Sequence, residues 1–263
     1  MADATRISDL AETAKTAVSA AGSAILSALL PPMCPLTGER VDRPGALSAA
    51  AWARVSFIDD PVCAGCGVPF AYDQGRGAVC AACAAEPPAV DGARAAILYD
   101  DAAHDLIVAF KHADRTDLAP LLAAWLARAG VPFLTDRAVL APVPLHRSRL
   151  FRRRYNQSAL LAQRLAKTAR LPYVPNGLVR VRPTPSQQGL SAVARRRNLA
   201  GAIAPGPGSA ALSGRDVVLV DDVLTTGSTL SAAARAARRA GAAKVFGLVL
   251  ARAARGVIEG ENG

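Results

Sequence analysis

Two segments of this chain combine residue types that chemistry needs at spacings that chemistry can use. In the first, VVLVDDVLTTGSTL, the apolar residues Val217 to Val220 end at the paired acids Asp221 and Asp222, and Thr225, Thr226, Gly227, Ser228 and Thr229 follow. Two adjacent carboxylates at the end of a buried strand are costly unless hydrogen-bond donors or a metal meet them. The Thr/Gly/Ser stretch opens a helix. Its backbone N–H groups, its hydroxyls and the positive end of the helix dipole can therefore converge on one anion, with Gly227 allowing close backbone approach. In an open α/β sheet such a segment lies outside the carboxyl ends of the strands, where ligands sit. The composite is a polyol reader beside a phosphate cradle: Asp221 and Asp222 accept from two vicinal hydroxyls while Thr225 to Thr229 hold a phosphate, the layout of ribose 5-phosphate. The competing reading is an acidic cap on an ordinary Ser/Thr-rich turn between strand and helix. A Walker lysine motif and a GxGxxG after a strand are both missing, which leaves nucleotide-hydrolase and dinucleotide readings little support.

The second segment is Cys63-x2-Cys66, thirteen residues, then Cys80-x2-Cys83. Two CxxC pairs across a short loop suit one tetrahedral zinc, each pair turning two thiolates toward the same point. The alternatives are disulfides, which need an oxidising compartment, and a redox CxxC, which fits one pair better than two. Cys34 stands alone in PPMCPLTGER.

Around these segments the organisation changes along the chain. Residues 1–30 form a leader in which AVSAAGSAILSALL, from Ala17 to Leu30, could pass for a signal-peptide core; but Asp3, Asp9 and Glu12 make its front acidic and it ends in Pro31 and Pro32. An amphipathic helix is the reading preferred here. Residues 31–88 are rich in Gly, Pro and Cys and make a small zinc-ribbon-like module. Alternating strands and helices occupy residues 89–255, before a tail at 256–263. Strands are expected at Ala93 to Tyr99, Ala138 to Val143, Val217 to Asp221 and Lys244 to Leu250. Helices are expected at Ala102 to His112, Leu118 to Ala129 with Gly130 as stop, Asn156 to Arg170, and Ser228 to Ala240. Apolar strands without alternation imply cover on both faces, hence an α/β fold with a parallel sheet flanked by helices.

The net charge of +10 conceals an asymmetry. Residues 1–140 carry 11 basic and 16 acidic side chains, a balance of −5, whereas 141–263 carry 20 and 5, a balance of +15. A basic half favours an anionic partner, a phosphorylated small molecule or nucleic acid. Of the 31 basic residues 27 are arginine in an alanine-rich chain, a bias that coding composition alone can produce. No apolar run reaches the ~20 residues of a membrane-spanning helix, so no membrane insertion and a cytoplasmic location are expected.

VVLVDDVLTTGSTL resembles the phosphoribosyl-diphosphate (PRPP) signature of type I phosphoribosyltransferases. The wider chain, from about Pro31 to Arg252, is similar to the ComF competence family through YDDAAHDLIVAFKHADR, APVPLHRSRLFRRRYNQSALLAQRLA, RPTPSQQGLSAVARRRNLAGA and the PRPP motif, in that order. The resemblance implies a type I phosphoribosyltransferase fold with a small N-terminal four-cysteine module. It also implies PRPP or ribose 5-phosphate as ligand with Mg2+, catalysis at Asp221 and Asp222, and PRPP binding by Val223 to Thr229. Leu145, His146 and Arg147 match the place that wraps the pyrophosphate. Arg149, Arg153, Asn156 and Gln157 continue that segment, although RSRLFRRR alone would pass for a solvated basic face. Gln187, Gln188, Leu190, Arg196 and Asn198 fall where the family places a loop that closes over PRPP. Lys111 and His112 match a lysine-containing helix end whose role the residues do not explain. Many relatives carry further cysteines, but Thr37 occupies one of those places and residues 45–58 contain none. One structural zinc, on Cys63, Cys66, Cys80 and Cys83, is expected.

Three functions remain open: an enzyme that displaces pyrophosphate from PRPP with a nitrogen nucleophile, a non-enzymatic single-stranded-DNA factor of the transformation machinery, and a regulator that senses PRPP without turnover. Competence helicase or DNA-uptake proteins are the protein partners that the resemblance implies. Only 5% of residues are aromatic, which limits stacking platforms for an autonomous single-strand binder.

Overall fold

A computed structural model describes residues 31–112, 115–146, 155–182 and 201–253, with the His112 side chain outside the described set. In chain order the elements are α1 (Ala49–Ala53), α2 (Ala81–Ala85), β1 (Gly92–Leu98), α3 (Asp101–His112), α4 (Ala119–Gly130), β2 (Ala138–Pro142), α5 (Gln157–Ala169), β3 (Leu178–Arg180), β4 (Ile203–Pro205), β5 (Asp216–Leu224), α6 (Ser228–Arg239) and β6 (Lys244–Arg252). Four strands form one sheet in the order β1-β6-β5-β2, and every pair is parallel.

Successive residues of β5 serve opposite faces. Val218 and Val220 join a core with Leu106, Leu122, Leu126, Leu161 and Leu165, whereas Val217 and Leu219 join one with Ala233, Ala237 and Val245. Apolar side chains are needed on both sides, so the strand shows no polar alternation. Among the described residues no helix is long and apolar enough to cross a membrane.

Most element ends shift by one or two residues from expectation, and three differences bear on the site or the fold. β5 continues past Asp221 to Leu224 because β6 runs beside it throughout, pairing Asp221 with Val249 and Leu224 with Arg252. The paired acids therefore sit within the strand and not at its end. Gly130 is the last residue of α4 and not its stop; a Cβ there would lie 2.6 Å from Leu248 Cδ2, so the glycine lets the helix approach the sheet. The short antiparallel pair β3 and β4 carries no strong sequence signal, being three residues each.

The N-terminal segment is folded twice in the same way. Cys34 N–H donates to Glu39 O and Gly38 N–H to Cys34 O, as Cys63 N–H donates to Val68 O and Gly67 N–H to Cys63 O. Bridges Met33 to Arg40 and Val62 to Pro69 close the two turns, and Gly38 and Gly67 take φ of 68° and 70°. Ser48 caps α1 where Cys80 stands at the start of α2. The four cysteines 63, 66, 80 and 83 thus correspond to Cys34, Thr37, Ser48 and Ala51. In the first turn Thr37 Oγ1 and Ser48 Oγ lie 2.9 Å apart, and Ser48 Oγ accepts from Ala51 N–H. Cys34, Leu47 and Ala51 belong to the main core, whereas Cys63, Cys66 and Cys83 form a separate small cluster. The first copy is held by hydroxyl bonds and the main core, whereas the thiols of the second pack in a cluster of their own beside Val68 and Phe70.

Candidate functional site

In the second turn the four Sγ atoms lie within 4.8 Å of one another, and Cys66 Sγ is 3.7 Å from Cys80 Sγ. Zinc–sulfur bonds of about 2.3 Å in a tetrahedron place sulfurs about 3.8 Å apart, so the set fits one zinc and is too open for a disulfide. Burial pushes the Cys63 thiol up, but backbone N–H groups of Cys80, Cys66 and Gly65 outweigh it and bring it down to about 7. Cys34 is treated alike: burial raises it, and Ser48 N–H, the Thr37 hydroxyl and the backbone of Leu36 and Thr37 bring it to about 7. Burial pushes the thiols of Cys66 and Cys83 up.

The paired acids are individually partnered. Ser158 Oγ donates to Asp221 Oδ1 at 2.8 Å, and Asp222 N–H donates to the same oxygen at 3.0 Å. Burial first, then the Asp222 carboxylate, push Asp221 up to about 7, against the lowering by Ser158, the Asp222 N–H and Lys111. Lys111 Nζ lies 2.6 Å from Asp222 Oδ2, with both side chains 17% exposed. The end of α3 is held over the acids by the entry to α5: Tyr155 Oη, two residues before the helix, donates to Phe110 O, and Gln157 Nε2, at its first position, to Lys111 O at 3.4 Å. Sequence reasoning left Lys111 without a role and missed Ser158. Ser158 has no local signal, lying 63 residues from its partner, and Lys111 was marked only through the family resemblance.

After Leu224 the chain turns into α6 through Gly227, whose φ of 77° is left-handed and favours glycine. Thr226 Oγ1 and Ser228 Oγ lie 2.9 Å apart. Asp221, Val223, Leu224, the Thr225–Thr229 turn and Leu230 line one small cavity of about 20 Å³. A larger one, about 250 Å³, lies between the cysteine turn and the loop, bordered by Cys66, Cys83, Glu86, Thr225, Thr226 and Arg235. Leu145 and His146 follow β2 and are half-buried. Asn156 and Gln157 engage backbone: Asn156 caps α5 through Ser158 N–H and donates to Val143 O, and Gln157 is buried at the first helical position. Arg147, Arg149, Arg153, Gln187, Gln188, Leu190, Arg196 and Asn198 lie outside the described residues, as do the leader and the tail.

Arg252, which sequence reasoning used only as the end of the matched region, is 2% exposed. Its Nη1 donates to Leu224 O (3.1 Å), Thr225 O (2.9 Å) and Ala253 O (2.6 Å), and its Nε to Cys66 O (3.2 Å).

Two family models match the chain: a double zinc ribbon domain over residues 25–89 and a phosphoribosyl transferase domain over residues 126–261. Among curated proteins, "Competence protein F" of Haemophilus influenzae is 42% identical over 114 residues, 43% of this chain and 50% of that one. The chain thus spans about half the length of that relative. "DNA utilization protein YhgH" of Escherichia coli K12 is 34% identical over 200 residues, 73% of this chain and 85% of the relative. Among solved structures, a phosphoribosylpyrophosphate synthetase from Mycobacterium smegmatis aligns at TM-score 0.31 and 14% identity over 51% of this chain and 33% of its own. HGPRT-ase from Leishmania tarentolae aligns at 0.30 and 17% over 52% and 68%.

Proposed function

From the premise that this chain belongs to the competence protein F family, we propose that it binds PRPP with Mg2+ and transfers its ribosyl phosphate to a nitrogen nucleophile in the handling of transforming DNA. The observation that carries this reading is the pair Asp221 and Asp222, each held by its own partner directly before a left-handed Gly227 turn. In it, the two carboxylates accept from the vicinal ribose hydroxyls, and the loop from Thr225 to Thr229 receives the 5-phosphate on backbone N–H groups and hydroxyls at the start of α6. Leu145, His146 and Arg147 take the pyrophosphate end.

Mg2+ would be held by the pyrophosphate and an acid of the pair, and supplies charge neutralisation for the leaving group. In the transfer the ribosyl C1–O bond breaks, pyrophosphate leaves with the bonding electrons, a C1–N bond forms, and the nucleophile's proton passes to solvent or a base. The protein's share is orientation and electrostatic support. Lys111 keeps Asp222 in place before the ligand arrives. Release of pyrophosphate from PRPP by the full-length chain, with a series of nitrogen bases, tests the transfer; binding without release under every acceptor would leave a PRPP sensor.

A second reading, direct binding of single-stranded DNA, is favoured by one observation, the +15 balance of residues 141–263.

A further inference from the structure

Arg252 is a buried cation with no carboxylate partner among the described residues. It donates to four backbone carbonyls drawn from three places, the cysteine turn (Cys66), the strand end and phosphate loop (Leu224, Thr225) and its own neighbour (Ala253), and its charge also favours the thiolate of Cys66. A guanidinium taken out of water needs compensating charge nearby, and a filled four-cysteine site, four thiolates around one Zn2+, carries net negative charge on the Cys66 side. The loop side adds a geometric effect. In a planar trans peptide the C=O and the following N–H point in opposite directions. By drawing Leu224 O and Thr225 O to one side, Arg252 aims the N–H groups of Thr225 and Thr226 to the other and polarises both peptides toward a bound anion. At its far end Cys66 O belongs to the peptide whose N–H, on Gly67, donates to Cys63 O at 2.9 Å within the metal turn.

We propose that Arg252 is a positioning residue that joins the zinc turn and the phosphate loop into one hydrogen-bonded unit, so that zinc and a phosphorylated sugar bind this chain cooperatively. The inference rests on the reading of Thr225 to Thr229 as a phosphate site. Zinc fixes Cys66, Cys66 fixes Arg252, and Arg252 fixes the loop amides. Linkage makes the effect reciprocal, so a ligand on the loop must slow the departure of zinc.

The test uses the zinc-loaded full-length chain. Ribose 5-phosphate is first titrated by calorimetry, and zinc transfer to a colorimetric chelator is then timed with and without saturating ribose 5-phosphate. At least about fivefold slower transfer with the sugar is expected, the lower end of ordinary coupling between sites. Arg252→Met should keep its zinc but lose the protection, and Arg252→Lys, which retains a donor cation, should restore part of it; a lysine rescue is not expected of a residue that only fills space. Binding of ribose 5-phosphate with an unchanged transfer rate would overturn the coupling and leave the phosphate site standing. Absence of binding would remove the phosphate site and the coupling with it. If neither variant folds, the wild-type comparison decides alone.

Discussion

At the scale of residues, the site stores an unfavourable charge arrangement. Asp221 is pushed from 3.8 to about 7 in the folded chain, chiefly by burial and by Asp222. Between about pH 4 and pH 7 the folded state therefore keeps a proton that the unfolded state has released, and stability falls as pH rises through that window. Urea midpoints at pH 5 and pH 8 should show this fall in the wild type and a much smaller one in Asp221→Asn; equal slopes in the two would deny the shift. Lys111 and Asp222 form a second, half-buried element of the arrangement. Lys111→Met should cost about 1–3 kcal/mol by leaving Asp222 unpaired, whereas Arg238→Met, at the exposed Arg238 to Asp91 pair, should cost less than about 1 kcal/mol. Chemical denaturation of both variants at pH 7 measures the contrast. The acids and the loop were legible in the sequence because they are contiguous and of unusual type. Ser158 and Arg252 were not, because the groups they join lie far along the chain, and Lys111 was marked by the resemblance without its partner Asp222.

Elements show the same division. Long apolar runs announced the strands β1, β2, β5 and β6, and their missing alternation announced helices on both faces. The three-residue strands β3 and β4 had too few residues for any period to be seen. The doubled N-terminal turn was hidden differently: its first copy keeps the backbone hydrogen bonds of the second and places Ser48 where Cys80 starts the helix, while losing three of four cysteines. Purified protein should contain about one zinc per chain, unchanged by Cys34→Ser. Because the backbone of the first copy already matches the second, the combined variant Thr37→Cys, Ser48→Cys and Ala51→Cys should bind a second zinc with Cys34. Metal analysis giving one zinc in that variant would show that the first copy cannot close around a metal.

Over the whole molecule, the charge balance is −5 across residues 1–140 and +15 across residues 141–263. If the basic half contacts single-stranded DNA through several phosphates, log affinity should fall with log salt by about 0.7 per phosphate, with little dependence on base sequence. Saturating PRPP with Mg2+ should compete if Arg147, Arg149 and Arg153 serve both ligands; fluorescence titration with and without PRPP reads this, and unchanged DNA affinity would separate the two surfaces. The central claim is that Asp221, Asp222 and the Gly227 turn form one ribose-phosphate site. Calorimetric titration of PRPP with Mg2+ into the wild type and into Asp221→Asn with Asp222→Asn tests it most directly. The account predicts saturable binding to the wild type and none to the double variant with its fold intact by circular dichroism; equal affinity in the two proteins would contradict it.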